Sequence, residues 1–173
     1  GVDMRDPYWV VGGLQDNGSW EGPSAVWKYG GVRNYDWQEV AFGDGFDVVA
    51  RPDDNRFGYA MSQGGYLSYY DRLTGDNKFI RPVHPEGQTL RFNWNAAIAQ
   101  DPFNNCGVYY GSQFVHYSRD CGQSWSILSP DLTTNDTTKQ KLALSGGLTI
   151  DATQAENYTT ILAIAPSPHD EKV

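Results

Sequence analysis

Asp16 and Asp44 are the two carboxylates whose surroundings could put them to work as an acid and a base. Each sits in a short glycine-containing stretch, Gln15-Asp16-Asn17-Gly18 and Gly43-Asp44-Gly45. Hydrolysis of a glycosidic bond asks for two carboxyl groups about 5–10 Å apart across it. Around this pair the chain offers groups suited to holding a ligand. Gln15, Asn17, Gln63, Asn93, Asn95 and Gln113 carry amides for hydroxyl groups or peptide bonds, Trp94 an indole for stacking, and Arg91 a guanidinium for a carboxylate. The same residue types populate ordinary turns, so each also has an architectural reading. Other chemistries have no footing. His84, His116 and His169 lack ligand-like spacing, and Asp53-Asp54-Asn55 reads as a solvated turn before it reads as a calcium loop. No G-x-S-x-G elbow or phosphate loop occurs, so no catalytic serine, nucleotide, metal or cofactor is expected.

The elements that would position these groups come from a repeat. Val49-Ala50-Arg51-Pro52-Asp53-Asp54-Asn55 leads into Tyr59-Ala60-Met61-Ser62-Gln63, and Ile98-Ala99-Gln100-Asp101-Pro102-Phe103-Asn104 leads into Tyr109-Tyr110-Gly111-Ser112-Gln113. A third copy begins at Ile164-Ala165-Pro166-Ser167-Pro168-His169-Asp170. The interval from Ala50 to Ala99 falls in the range of roughly 40–50 residues typical of propeller blades, and the next is longer by about a hairpin. Each unit reads as four short strands separated by Pro/Asp/Asn, Gly/Gln and Asp/Gly turns. The fold class expected is therefore all-β, a partial β-propeller of four-stranded antiparallel blades. The division is a part blade at 8–40, blades at 46–81 and 96–130, an insertion at 132–157 and the start of another blade at 159–173. Phe46-Asp47-Val48-Val49 and Ala96-Ala97-Ile98-Ala99 are expected as innermost strands, and Trp37-Gln38-Glu39-Val40 and Trp125-Ser126-Ile127-Leu128 as fourth strands. Thr137 to Leu144, in the insertion, is compatible with a turn of helix. On this count residues 1–173 are a fragment whose partners include the remaining blades of a longer chain.

Blade geometry sorts the turns. The 1–2 and 3–4 turns emerge on one face, whereas the 2–3 turns and 4–1 connections emerge on the other, around the axial funnel. Gln15, Asp16, Asn17, Asp44, Gln63, Arg91, Asn93, Trp94, Asn95 and Gln113 all fall on the funnel side. Cys106 and Cys121 fall in the 1–2 and 3–4 turns of one blade, which suits a disulfide; the other reading is two free thiols.

Ser118-Arg119-Asp120-Cys121-Gly122-Gln123-Ser124-Trp125 fits S-x-D-x-G-x-S/T-W, the Asp-box (BNR) repeat. Its logic is local: Asp120 accepts hydrogen bonds within its own turn, Gly122 takes a positive φ, and Trp125 buries its ring. Ser118 and Ser124 complete the pattern. Asp16-Asn17-Gly18-Ser19-Trp20 is one residue short of the same box, and its place directly after Trp9-Val10-Val11 favours a 2–3 turn instead. Together with Gly13-Leu14-Gln15-Asp16-Asn17-Gly18-Ser19-Trp20, Gly43-Asp44-Gly45-Phe46, Arg91-Phe92-Asn93-Trp94-Asn95 and Ser129-Pro130-Asp131-Leu132-Thr133, the box resembles bacterial proteins of the sortilin-like propeller group, many of them labelled glycosyl hydrolases. The resemblance implies an extracytoplasmic module that captures a peptide or carbohydrate in its funnel. The alternatives are a glycoside hydrolase of the xyloglucanase or sialidase sort, with Asp16 or Asp44 as acid or base, and a non-catalytic structural module.

Charge narrows the partners. The formal net charge is −8, with 21 acidic against 13 basic side chains, so a nucleic acid would be repelled. No apolar run approaches the ~20 residues of a membrane-crossing helix, so no span is expected.

Overall fold

The computed structural model describes residues 1–140 and 157–172. They form two compact units, Gly1–Ser62 with Tyr66–Ile80, and Gln63–Gly65 with the described residues from Arg81 onward. Apart from two short 3₁₀ turns, Asn34–Asp36 and Gln63–Gly65, every regular element among the described residues is a β-strand.

The first unit holds two sheets. β1 (Trp9–Leu14), β2 (Gly18–Pro23) and β3 (Gln38–Ala41) lie antiparallel in that order, and β4 (Gly45–Ala50), β5 (Phe57–Ser62), β6 (Tyr66–Asp71) and β7 (Asn77–Phe79) form a four-stranded meander. Trp37 caps the preceding 3₁₀ turn and β3 starts one residue later, at Gln38. The free edge of β1 is also occupied. Val2 bridges Val10, the Val11 amide donates to the Gly1 carbonyl at 2.9 Å, and the Asp3 amide donates to the Trp9 carbonyl at 3.1 Å. Residues 1–3 are too few to show a two-residue alternation, so sequence pattern places the start of this sheet at Tyr8.

Turn chemistry fixes the meander. The Asp54 carbonyl accepts from the Phe57 amide at 3.1 Å while its carboxylate accepts from the Arg56 amide at 3.0 Å, closing the β4–β5 connection. At the β6–β7 end, the Asp71 carboxylate takes the Leu73 amide at 3.0 Å and pairs with Arg56 across the hairpin. Gly75 completes that turn at φ +78°, a conformation that costs glycine nothing.

Val11, Val40, Val48, Ala60 and Tyr70 make the buried core of this unit. Strands β1 and β4 approach so closely that a Cβ on Gly13 would stand 2.2 Å from the Gly45 carbonyl carbon and the Phe46 nitrogen. Backbone cannot yield as a flexible side chain does. Gly13→Ala is therefore expected to destabilise this unit by about 1–3 kcal/mol. Thermal unfolding of the variant checks this, and an unchanged midpoint would mean the strands are not in contact.

The second unit contains β8 (Ile98–Gln100), β9 (Val108–Gly111), β10 (Val115–Ser118) and β11 (Ser126–Ile127), again in chain order across the sheet. Ala96 and Ala97 are buried just ahead of β8, and the Gly111 amide still donates to the Ala97 carbonyl at 2.8 Å. In the β10–β11 turn, Asp120 Oδ1 accepts from the Ser124 amide and the Ser118 hydroxyl, both at 2.8 Å, and Oδ2 accepts from the Ser124 hydroxyl at 2.6 Å. The Ser124 hydroxyl foremost holds the Asp120 carboxyl below the ordinary carboxylate range. Cys121 and Gly122 take positive φ, the Cys121 amide donates to the Cys106 carbonyl at 3.0 Å, and the two cysteines are joined as a disulfide.

Both four-stranded sheets run from one edge to the other in sequence order, the meander of a propeller blade, and the fold is all-β, a partial β-propeller of such blades. Most of the insertion at 132–157, including the end of the Thr137–Leu144 segment, lies outside the described residues. Its beginning forms a turn, with the Lys139 amide donating to the Asp136 carbonyl at 3.0 Å. Residues 157–172 form no strand, although the Ile161 amide donates to the Ser112 carbonyl at 2.7 Å.

Candidate functional site

The candidate residues divide between the units, with Gln15, Asp16, Asn17 and Asp44 in the first and Gln63, Arg91, Asn93, Trp94, Asn95 and Gln113 in the second.

In the first unit a tight turn joins β1 to β2. The Asn17 amide donates to the Leu14 carbonyl at 3.1 Å, Asp16 adopts φ +63° and Gly18 φ +76°. Aspartate tolerates the left-handed region better than most residues, and glycine takes it freely. Two bonds tie this turn to the segment before β4: the Asp16 amide donates to Asp44 Oδ1 at 2.9 Å, and the Gly18 amide to the Gly43 carbonyl at 2.8 Å. Asp44 thus braces the turn, and the side chains of Gln15, Asp16 and Asn17 are exposed at its tip.

A cavity of about 520 Å³ opens on the β1–β2–β3 sheet, lined by Val10, Gly12, Gly13, Leu14, Trp20, Asn34 and Trp37. Volumes of this order suit small ligands. Trp20 connects it to the turn, because its indole N–H donates to the Asn17 carbonyl at 2.5 Å. Trp37 lies where Gly22 leaves room, since a Cβ there would stand 2.4 Å from its ring. Sequence reasoning missed this wall. The signal available was the alternation in β1, where Val11 points to the core while Val10, Gly12 and Leu14 share the other face.

Behind β2 lies a buried charged cluster. Glu21 and Asp3 have side chains only 1% exposed, Arg72 Nε stands 3.1 Å from Glu21 Oε1, and Arg5 pairs with Asp3. The guanidinium carbons of Arg5 and Arg72 lie 4.0 and 5.4 Å from the Trp9 ring centroid. Burial pushes the Glu21 carboxyl up to about 7, against the opposing pull of Arg72 and Arg5. The Tyr70 hydroxyl is likewise raised, by burial and then by the Glu21 charge.

In the second unit the expected ligand groups serve largely as internal fastenings. Gln113 is wholly buried; its Oε1 accepts from the Arg91 amide at 2.8 Å and its Nε2 donates to the Thr89 carbonyl at 2.9 Å. Arg91 spends Nε on the Thr159 carbonyl at 3.1 Å and Nη2 on Asp131 at 2.7 Å and Thr133 at 3.1 Å. Burial raises the Asp131 carboxyl, but Thr133 and Arg91 outweigh it and hold the group below its ordinary value. Asn93 donates to the Asn157 carbonyl at 3.3 Å, the Trp94 carbonyl accepts from the Gly64 amide at 3.1 Å, and Asn95 is exposed beside them. Gln63 is half-buried and engaged. Among the described residues no group of three or more His, Cys, Asp or Glu is placed to hold a metal ion, and no helix is long and apolar enough to cross a membrane.

No family model matches the chain, and no curated protein does. Among solved structures it is similar to the GH74 xyloglucanase from Xanthomonas campestris, at 16% identity and a TM-score of 0.49. The likeness covers 88% of this chain and 23% of the enzyme's, so the chain spans under a quarter of that protein's length. The blade topology stands on the strand pairings themselves.

Proposed function

We propose that this chain is part of an extracytoplasmic, sortilin-like β-propeller that binds a glycan or peptide segment, using the Trp20–Trp37 cavity and the polar turn at its edge. The observation that carries the reading is the pairing of two indoles with a braced turn whose Gln15, Asp16 and Asn17 side chains face solvent. Rings supply apolar contact, and amides and a carboxylate supply direction to hydroxyl or peptide groups. The disulfide between Cys106 and Cys121 supports a compartment outside the reducing cytoplasm. Asp44 gives a carboxylate oxygen to the Asp16 amide, which favours a holding role for this pair over acid–base chemistry.

Glycan and peptide arrays probed with the full-length protein test the reading. Trp37→Ala is expected to weaken binding of the captured ligand about tenfold, the scale of removing an aromatic anchor. Trp94→Ala, which lies in the other unit, is the comparison. Affinity that survives Trp37→Ala unchanged would remove the cavity from the site.

A further inference from the structure

The exposed turn between β1 and β2 carries a chemistry of its own. Asn17-Gly18 is the only asparagine–glycine step in the sequence; every other asparagine precedes a residue with a side chain. Such a step is chemically weak. With no Cβ in the way, the glycine nitrogen can attack the asparagine Cγ: the N–Cγ bond forms, the Cγ–Nδ2 bond breaks, and ammonia leaves with the glycine amide proton. The five-membered imide that remains adds water at one of its two carbonyls. Opening at Cγ gives aspartate, whereas opening at the main-chain carbon gives isoaspartate, in which the chain runs through the former side chain. Water is the one co-reactant consumed.

The fold holds each of the reacting groups. The Gly18 amide donates to the Gly43 carbonyl at 2.8 Å, so the nucleophile is engaged. Asn17 Nδ2, the leaving group, donates to the Gln15 carbonyl at 3.2 Å, and the Asn17 carbonyl accepts the Trp20 indole N–H at 2.5 Å. Room is short as well, since a Cβ on Gly18 would stand 2.6 Å from Glu39 Oε1 and 2.8 Å from the Ala41 carbonyl oxygen. Cyclisation has to swing the Gly18 nitrogen toward Asn17 Cγ and away from Gly43. The reaction therefore runs through local opening of the turn. The bond from the Asp16 amide to Asp44 Oδ1, at 2.9 Å, resists that opening on the other side of Asn17. Asn17 itself is exposed, so water can reach the imide.

We propose that Asn17 is a site of spontaneous deamidation gated by the Gly43–Asp44 brace. Either product adds a negative charge to the tip that already carries Asp16. Isoaspartate also lengthens the turn by one main-chain carbon and converts the carbonyl that holds the Trp20 indole into a free carboxylate. The conversion needs no ligand, so it stands or falls independently of the binding assigned to the Trp20–Trp37 cavity. Ageing the full-length protein in mildly alkaline buffer, followed by peptide mass mapping and enzymatic methylation of isoaspartate, provides the test. Asn17 should convert before any other asparagine, and at least about tenfold more slowly in the folded protein than in the urea-unfolded chain. Asp44→Ala removes one hydrogen bond from the brace and should convert about fivefold faster than the wild type. Asn17→Gln should give no product at this position, because its cyclisation needs a six-membered ring. Hydrogen exchange reads the same opening in the unaltered protein, where the Gly18 amide should be protected. Four results would overturn the gated site: earlier conversion at another asparagine, equal rates in the folded and unfolded chain, wild-type conversion by an Asp44→Ala variant whose thermal midpoint is unchanged, or a Gly18 amide that exchanges as freely as in the unfolded chain.

Discussion

Glu21→Gln should abolish a loss of stability that the first compact unit suffers as pH rises toward neutrality. Glu21 lies on β2 with its side chain 1% exposed, facing Arg72, Arg5, Asp3 and Tyr70. Burial disfavours its charged form more strongly than the two arginines favour it, so its pKa stands at about 7 against 4.5 in an exposed chain. The direction is the reverse of an ordinary ion-paired carboxylate. Between those values the folded state keeps a proton that the unfolded state has released. The associated stability is complete below about 4.5 and is lost as pH climbs through about 7. A displacement of this size corresponds to about 3 kcal/mol. Glutamine keeps the shape and the hydrogen-bonding capacity without the titration. The variant should match the wild type near pH 4.5, exceed it by up to about 3 kcal/mol at pH 8, and show no slope between. Urea unfolding followed through Trp9, whose ring centroid is 4.0 Å from the Arg5 guanidinium carbon and 5.4 Å from that of Arg72, reads the right unit. A variant with the wild-type slope would place the titration elsewhere.

That cluster also marks how far sequence reading reaches. The meander was legible because turn residues announce themselves. Asp54, Gly75, Asp120 and Gly122 each have a type dictated by a local hydrogen bond or a positive φ, and local causes leave local patterns. The edge segment at Gly1–Asp3 was not legible, being only long enough for one bridge. Nor was the Glu21 cluster, whose members come from the N-terminal segment, β2, β6 and the turn after β6, because no short-range rule relates them. The candidate site divides on the same line. Exposure at Gln15, Asp16 and Asn17 follows from the turn that carries them, whereas the burial of Gln113 and the engagement of Arg91 depend on chain segments far away in sequence. An amide or guanidinium looks the same on paper whether it faces a ligand or fastens a loop. Trp20 and Trp37 were hidden for the opposite reason: an indole in a strand suggests burial, and here the two share an open wall.

The second unit should respond to pH in the opposite sense, through His116. Its ring is wholly buried in β10, with Nε2 2.7 Å from the Ser112 hydroxyl. Phe92, Phe114 and Trp125 pack around it at centroid distances of 6.5, 6.3 and 6.5 Å. Burial foremost, and then the charge of His84, lowers its pKa to about 4 from an ordinary 6.5. Between those values the unfolded chain binds a proton that the folded chain refuses. Stability is complete above about 6.5 and is lost as pH falls through about 4, again on the order of 3 kcal/mol. His116→Gln should lower stability at pH 7 by losing ring packing, yet flatten the acid limb. That change of slope separates titration of this ring from mere loss of fit. Trp125 stands edge-on to His116 and supplies a fluorescence probe of the unit. Over the same acid range protonation of Glu21 acts in the opposite sense, adding stability to the first unit while the second loses it. An acid limb unchanged by His116→Gln would show that this imidazole does not govern the loss.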